Sequence, residues 1–508
     1  MFPRTDCEQN IDAKQMHGRV FSGMRWAFWL SALAAPFGAA TNLLLARVSP
    51  EVIGVYGLLS VYVGLFTSLL YFGGDAVIIR FIPEAEQRDR VPFLFSYGGI
   101  NLLYLALFVA IVWLWPQLVS SFLGSTIDQH TAVLLVCMAP VPIFFQMAIA
   151  ALKGLLEITA SQLLAKSLTL LSFVCYGALV AVKQSLLIEH PWLLLWGIYF
   201  GCAAGLAVFA VFRICRTCSL ASLHFYLPKR FWRYALDTQA VSVANFLSGR
   251  LDYTLIAGLA GIETLGRYVA IMVFATSLTL VASLFMDTLL PSLLNMLAAQ
   301  NKEGAIQVFL THMRILFLVV VLGSCFLIAF APNIVRLMGA SYSDLAALLI
   351  AGILPLSLAV PGAYGGTLLA SVDQQRLAIW ANLLKALIFC AMFFSLRRLN
   401  LLYAAVLANG LATLGSSVTL IVLARACAPF YPSIINLWIS AACVECTVAT
   451  IALYRLPLEP AAATGIWLLS AAFFMYFGGY RLPELRQLFQ IYLIRSGPPP
   501  PPREPARS

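Results

Sequence analysis

Charge is what this sequence has least of. Asp, Glu, Lys and Arg make up 11% of its 508 residues, against about 25% in a soluble domain. That is too little to cover a water-facing surface. The matching excess is apolar: 61% of residues are hydrophobic and the mean hydropathy is +0.89. Apolar runs of about 18 or more residues recur from end to end, each long enough to cross a bilayer as a helix. An all-α polytopic membrane protein is expected.

Other absences narrow the chemistry. There is no Walker-type or Gly-rich phosphate loop, which argues against ATP hydrolysis. The five histidines (His17, His130, His190, His224, His312) are scattered. Cys215-Arg216-Thr217-Cys218 has zinc-like spacing, but no second CxxC or nearby His pair completes a tetrahedral set. No metal and no cofactor is expected. The eleven cysteines fall mostly inside apolar runs, where a thiol behaves as a small hydrophobe and a disulfide framework is not expected. The first apolar run has no small-residue cleavage site and is followed by further spans, so it reads as a retained span.

What is present is a repeat. Residues 46–84 open on a short polar turn (Val48-Ser49-Pro50-Glu51), continue through an apolar run, and close on Gly73-Gly74-Asp75, Arg80 and Ile82-Pro83-Glu84. A weaker copy lies about 212 residues downstream: Glu51 matches Glu263, Gly54 matches Gly266, Tyr56 matches Tyr268, Thr67 matches Thr279 and Asp75 matches Asp287. Pro116 with Gly124 corresponds to Pro332 with Gly339, and Pro140 to Pro355.

Fourteen spans are read, near 26–46, 54–79, 92–115, 132–152, 159–182, 191–212, 235–257, 266–294, 311–331, 345–369, 376–396, 401–424, 432–453 and 461–478. About 24 of the 32 Lys and Arg fall on the side of both termini and about seven opposite, with Arg250 inside a span. By the positive-inside rule both termini are cytoplasmic. The same loop bias makes the net charge of +10 an orientation signal rather than a nucleic-acid stripe. Two parallel six-helix repeats plus a C-terminal helical hairpin follow. The expected organisation is a tail (1–19), an N-lobe (20–213), a basic linker (214–234), a C-lobe (235–425), an accessory hairpin (426–480) and a basic Pro-rich cytoplasmic tail (481–508). Such parallel repeats are related by an axis along the membrane normal.

These residues carry a resemblance. The turn from Ala46 to Tyr56 looks like the pattern opening the second span of bacterial O-antigen type (Wzx-like) flippases. These are polysaccharide-biosynthesis exporters of the multidrug/oligosaccharidyl-lipid/polysaccharide superfamily. Ile79-Arg80-Phe81-Ile82-Pro83-Glu84 is similar to the closure of that span. Arg250-Leu251-Asp252 with Gly266-Arg267-Tyr268 resembles the start of the family's second half. Pro332-Asn333-Ile334-Val335 with Gly339, Tyr342 and Ala346 is similar to its loop after the ninth span. The ordered match runs from about residue 20 to 425. It implies two six-helix lobes around a central cavity, switching by alternating access. It further implies a lipid-linked oligosaccharide, usually on undecaprenyl diphosphate, as cargo across the bacterial inner membrane. Membrane lipids and polysaccharide assembly proteins are the implied partners. One departure stands out: no acid falls in the first span, which weighs against a cation site like that of the multidrug members.

An ionisable residue within a span is costly and reads as functional by default. Arg25, at the entrance of the first span, and Arg250, within the seventh, are candidates for the diphosphate headgroup, because guanidinium forks match its oxygens. The alternatives are an interface anchor for Arg25 and a structural partner to an acid for Arg250. Asp252 is two positions from Arg250, so the two point to different helix faces. Lys166 and Lys385, in the similar strings LLAKSL and NLLKAL, either line both walls of one cavity or snorkel to the interface. Asp75, Asp287 and Asp252 are coupling or structural acids, with Arg80 a sequence neighbour of Asp75. Glu445 reads as a packing or interface residue. Pro36, Pro140, Pro142, Pro291, Pro355 and Pro361 interrupt helices. Of these, Pro140, Pro355 and Pro361 are assigned as hinges of the paired fourth and tenth spans.

Four readings compete. A flippase without enzymatic activity leads, as the resemblance implies, and a monomeric unit is expected because one chain supplies both walls of the cavity. A cation-coupled small-molecule exporter is the alternative on the same fold. A glycosyltransferase or polymerase would need paired external acids, whereas the longest external loop, Pro116 to His130, holds only Asp128. A passive scaffold in an assembly complex is the fourth.

Overall fold

A computed structural model of the chain describes residues 29–30, 33–34, 36–86, 88–114, 137–155, 157–217, 224–298, 302–372, 374, 376–398, 400–429, 431–454 and 459–477. Among them there is no strand. The helices are α1 (residues 36–48), α2 (Pro50–Leu65), α3 (Gly74–Glu84), α4 (Arg90–Leu114), α5 (Pro140–Gly154), α6 (Ile158–Glu189) and α7 (Pro191–Thr217). There follow α8 (Phe231–Ala298), α9 (Lys302–Ala329), α10 (Ala331–Met338), α11 (Ala346–Ser371), α12 (Leu377–Leu396), α13 (Leu401–Cys427), α14 (Ile435–Tyr454) and α15 (Pro460–Phe477). Ten helices of the described residues are long and apolar enough to cross a membrane, and α5 and α15 are shorter apolar helices. The chain is a polytopic helical membrane protein.

The long α8 carries the seventh and eighth spans in two limbs, broken at Gly261, whose φ of 85° puts it in the left-handed region that favours glycine. The second span departs from the sequence reading, which made it continuous. It runs as α2, then a π-turn (Phe66–Leu70), then Gly73 and Gly74 at φ 74° and 62°, and only then α3. In hydrocarbon the backbone groups freed by such a break must find partners, and they do. Phe72 N donates to Asn101 Oδ1 (2.8 Å) and Tyr97 Oη donates to Phe72 O (2.6 Å), both partners lying on α4. Gln239, on the first limb of α8, accepts from Gly73 N (2.9 Å) and donates to the carbonyls of Ser68 (3.0 Å) and Leu69 (2.9 Å).

Packing repeats along with sequence. In the first half α3 and α4 pack on α5, and α5 and α6 on α7; in the second, α8 and α9 pack on α11, and α11 and α12 on α13. The hairpin α14–α15 lies against α9, and α14 also against α11. The halves meet where α2 runs along α8. There Gly54 faces the carbonyl of Ile262, Gly266 faces the carbonyl of Pro50, and Gly57 faces Val269. Ile262 and Val269 are the residues that the 212-residue register assigns to Pro50 and Gly57, so the contact obeys the pseudo-twofold on both sides. Arg47 Nε adds a bond across the halves to the carbonyl of Leu337 (2.8 Å).

Candidate functional site: a polar cluster beside the seam between the halves

The first limb of α8 carries Asn245, Ser248 and Asp252 at helical spacing, which puts them on one face. That face meets α12 and α13. Asn382 on α12 hydrogen-bonds Asn245 and lies 3.5 Å from Ser248 Oγ. Asp252 is buried, and its carboxylate collects three donors. Tyr268 Oη, on the second limb, donates to Oδ2 at 2.5 Å, Asn409 Nδ2, on α13, donates to Oδ2 at 2.6 Å, and Tyr253 N donates to Oδ1 at 2.9 Å. Thr413 Oγ1 in turn donates to Asn409 Oδ1 (3.1 Å), fixing that amide's orientation. Lys385, one helical turn beyond Asn382, acts electrostatically on Asp252, as does Arg250. A buried carboxylate needs such compensation, because an unpaired ion in the interior costs several kcal/mol.

Arg250 points elsewhere. Its guanidinium donates to Ser60 Oγ of α2 at 3.2 Å and lies 5.3 Å from the Tyr253 ring centre, so it reaches across the seam into the other half. At about 1.5 Å per residue it sits roughly 16 Å along the helix from the Gly261 break. The split expected of Arg250 and Asp252 is what the helix produces: one bonds α2, the other α13.

The remaining candidates lie apart. Lys166 is half-buried on α6, in the first half. Asp75, at the start of α3, interacts with Tyr71 and with Lys153 of α5, while Arg80, its sequence neighbour, lies 4.5 Å from the Tyr234 ring centre. Asp287 falls within α8, but its side chain, like the whole of Arg25, lies outside the described residues. Pro355 and Pro361 are inside α11. Pro140 is different from the sequence reading: it is the first residue of α5, where proline's missing N–H has no helical partner to lose. Pro355 Cγ packs on α13, where a Cβ added to Gly410 would come within 2.4 Å.

Sequence reasoning missed Gln239, Tyr268 as a partner of Asp252, Asn382, Asn409 and Thr413. The only signal was that each is a polar side chain within an apolar run. Next to Asp344, which pairs with Arg267 at 2.6 Å, the buried Tyr342 phenol is pushed above its usual range by burial. The nine described cysteines are free, and no group of three metal-ligating side chains occurs among the described residues.

No family model matches the sequence, and no curated protein is similar to it in sequence. Solved structures are similar in fold. One is the lipid II flippase MurJ in an inward closed conformation, with a TM-score of 0.68 at 12% identity over 92% of this chain and 99% of that one. Another is an inward-facing multidrug resistance MATE family transporter of the MOP superfamily, at 0.61 and 11% identity over 77% and 94%. A third is a MOP superfamily transporter from Pyrococcus furiosus, at 0.52 and 13% identity over 80% and 94%. The chain has the fold of the transporters of that superfamily.

Proposed function

We propose that this protein is a flippase of the Wzx-like kind, moving a lipid-linked oligosaccharide across the bacterial inner membrane by alternating access of its two six-helix halves, with both termini cytoplasmic. The observation that carries this reading is the reach of Arg250 across the seam, with a second cation, Lys385, on the helix packed beside it. Arg250 reaches from α8 to Ser60 of α2, and Lys385 stands beside Asp252 on the adjoining wall. A guanidinium fork between two moving halves, with an ammonium on the adjoining helix of the second half, suits a diphosphate, whose oxygens accept bidentate and point-charge contacts alike. Lys166 would line the opposite wall and Arg25 the entrance. The likeness to a lipid II flippase over nearly the whole chain supports a lipid-linked cargo, and the resemblance of the sequence to polysaccharide-biosynthesis exporters points to the class of that cargo. The protein acts as a single-chain transport unit and carries out no covalent chemistry.

A cation-coupled small-molecule exporter is the second reading, favoured by the MATE likeness and by a buried acid in the second half. The surroundings of Asp252 weigh against it. Its oxygens are taken by N–H and O–H donors and face Lys385, whereas a hard cation needs oxygen acceptors around it. The test is flipping of a fluorescent undecaprenyl-diphosphate oligosaccharide in proteoliposomes, wild type against Arg250→Ala. Protein-dependent flipping lost in the variant, with folding intact, is expected. No flipping of any lipid-linked sugar, with export of small cations instead, overturns the proposal in favour of the exporter.

A further inference from the structure

Glu445 lies on α14 in the accessory hairpin, away from the seam, and is fully enclosed, with 1% of its surface exposed. Its carboxyl meets two hydroxyls: Ser324 Oγ of α9 at Oε1, and Ser357 Oγ of α11 at Oε2, the latter at 2.5 Å. Each serine also contacts a carbonyl of its own helix, Ser324 that of Val321 (3.0 Å) and Ser357 that of Leu354 (2.9 Å). That makes four oxygen–oxygen contacts and only two hydroxyl protons. A third proton, on Glu445, makes a third contact a hydrogen bond. With that proton in place, Glu445 O–H would donate to Ser357 Oγ, Ser357 to Leu354 O, and Ser324 to the acid's carbonyl oxygen.

The surroundings offer no other compensation. The titratable groups near the carboxyl are Cys325 of α9 and Cys446 on its own helix, with Ser470 of α15 bonding Cys325. Among the described residues no cation acts on Glu445. An ionised carboxylate in such a place costs several kcal/mol; a neutral acid satisfied by hydroxyls does not.

We propose that Glu445 is a proton-binding site that fastens the accessory hairpin to α9 and α11 when occupied, and releases it when the proton leaves to water. A void of about 10 Å³, near the size that holds one water, lies against Glu445 and is walled by Ser357, Leu358 and Pro361. Pro361 also borders a larger, mainly apolar cavity of about 230 Å³ whose walls include Tyr364, Trp438, Arg425 and Ser433. It has no N–H to give the Ser357 carbonyl, four residues back, so a backbone oxygen beside the void lacks its helical donor.

The test uses the purified full-length protein and needs no transport, so it stands apart from the flippase reading. Infrared difference spectra across a pH titration report the carboxylic acid C=O stretch, and thermal unfolding is followed over the same range in wild type and Glu445→Gln. The expected result is a protonated-acid band in wild type that the variant lacks, with a wild-type Tm that falls as pH rises and a variant Tm that does not. The sign follows from the site: the packing is held by the protonated form and weakens once the proton is lost. Glu445→Gln keeps a donor and an acceptor in the same shape, so the variant folds at neutral pH. Identical bands, or identical dependence of Tm on pH, in the two proteins would overturn the proposal.

Discussion

Gly54 and Gly266 each sit over a carbonyl oxygen of the opposite half, and each is the other's counterpart in the repeat. A Cβ on Gly266 would lie 1.7 Å from the Pro50 oxygen, and one on Gly54 2.2 Å from the Ile262 oxygen. Backbone lies against backbone, so neither contact can yield by turning a side chain. This end of the seam closes because both residues are glycine.

Gly266→Ala and Gly54→Ala are therefore expected to hold this end of the seam open. Distances between spin labels on α2 and on the second limb of α8 should lengthen in both variants, and flipping should fall. An unchanged distance distribution would mean that the helices do not separate here during transport.

Gln239 occupies three backbone groups of the broken second span. Gln239→Ala leaves the Ser68 and Leu69 carbonyls and the Gly73 N–H short of partners. The cost expected is about 1–3 kcal/mol per group left unpaired in the interior, read as a lower Tm. Gln239→Glu keeps the acceptor for Gly73 and loses the donor to the carbonyls, so its loss should be intermediate or larger.

Lys385 and Asp252 test charge against function. Lys385→Met alone removes one cation from a buried carboxylate and should destabilise the fold. The double variant Asp252→Asn/Lys385→Met removes both charges and should recover most of the stability. If Lys385 serves the headgroup, flipping stays low in the double variant despite the recovered fold. Recovered flipping would make the pair purely structural.

Pro355 and Gly410 interlock α11 with α13. Gly410→Ala pushes a methyl to within 2.4 Å of the Pro355 ring and should lower Tm. Pro355→Ala restores an N–H to the helix. If α11 bends during switching, transport slows while Tm holds or rises; unchanged transport would remove α11 from the list of moving parts.

Much of the architecture was legible because it rests on local quantities. A run of apolar residues long enough to cross a bilayer becomes a helix wherever it is, since every backbone group must be satisfied within the segment. Apart from the break in the second, the spans therefore fall largely on helices wherever residues are described, and the register that pairs Gly54 with Gly266 is plain in the chain. The second span was misread as continuous because Gly73-Gly74 in an apolar run permits a break but does not require one. What makes the break tenable is Tyr97, Asn101 and Gln239 on other helices.

The candidate site was less legible. Arg250 and Lys385 were visible as charges in spans, and so was Asp252. Their partners were not, because Tyr268, Asn409 and Ser60 come from three separate helices. In a soluble protein the apolar stripe tells which face of a helix turns inward. Here lipid and protein interior are equally apolar, so the stripe disappears, and the Glu445 face looks like any other turn of α14. The sequence by itself determined that the chain is a set of apolar helices, roughly where they lie and that one half copies the other. Only the tertiary structure decided which faces meet, and with them which buried charges share a partner, because that depends on small residues and hydrogen bonds brought together from hundreds of residues apart.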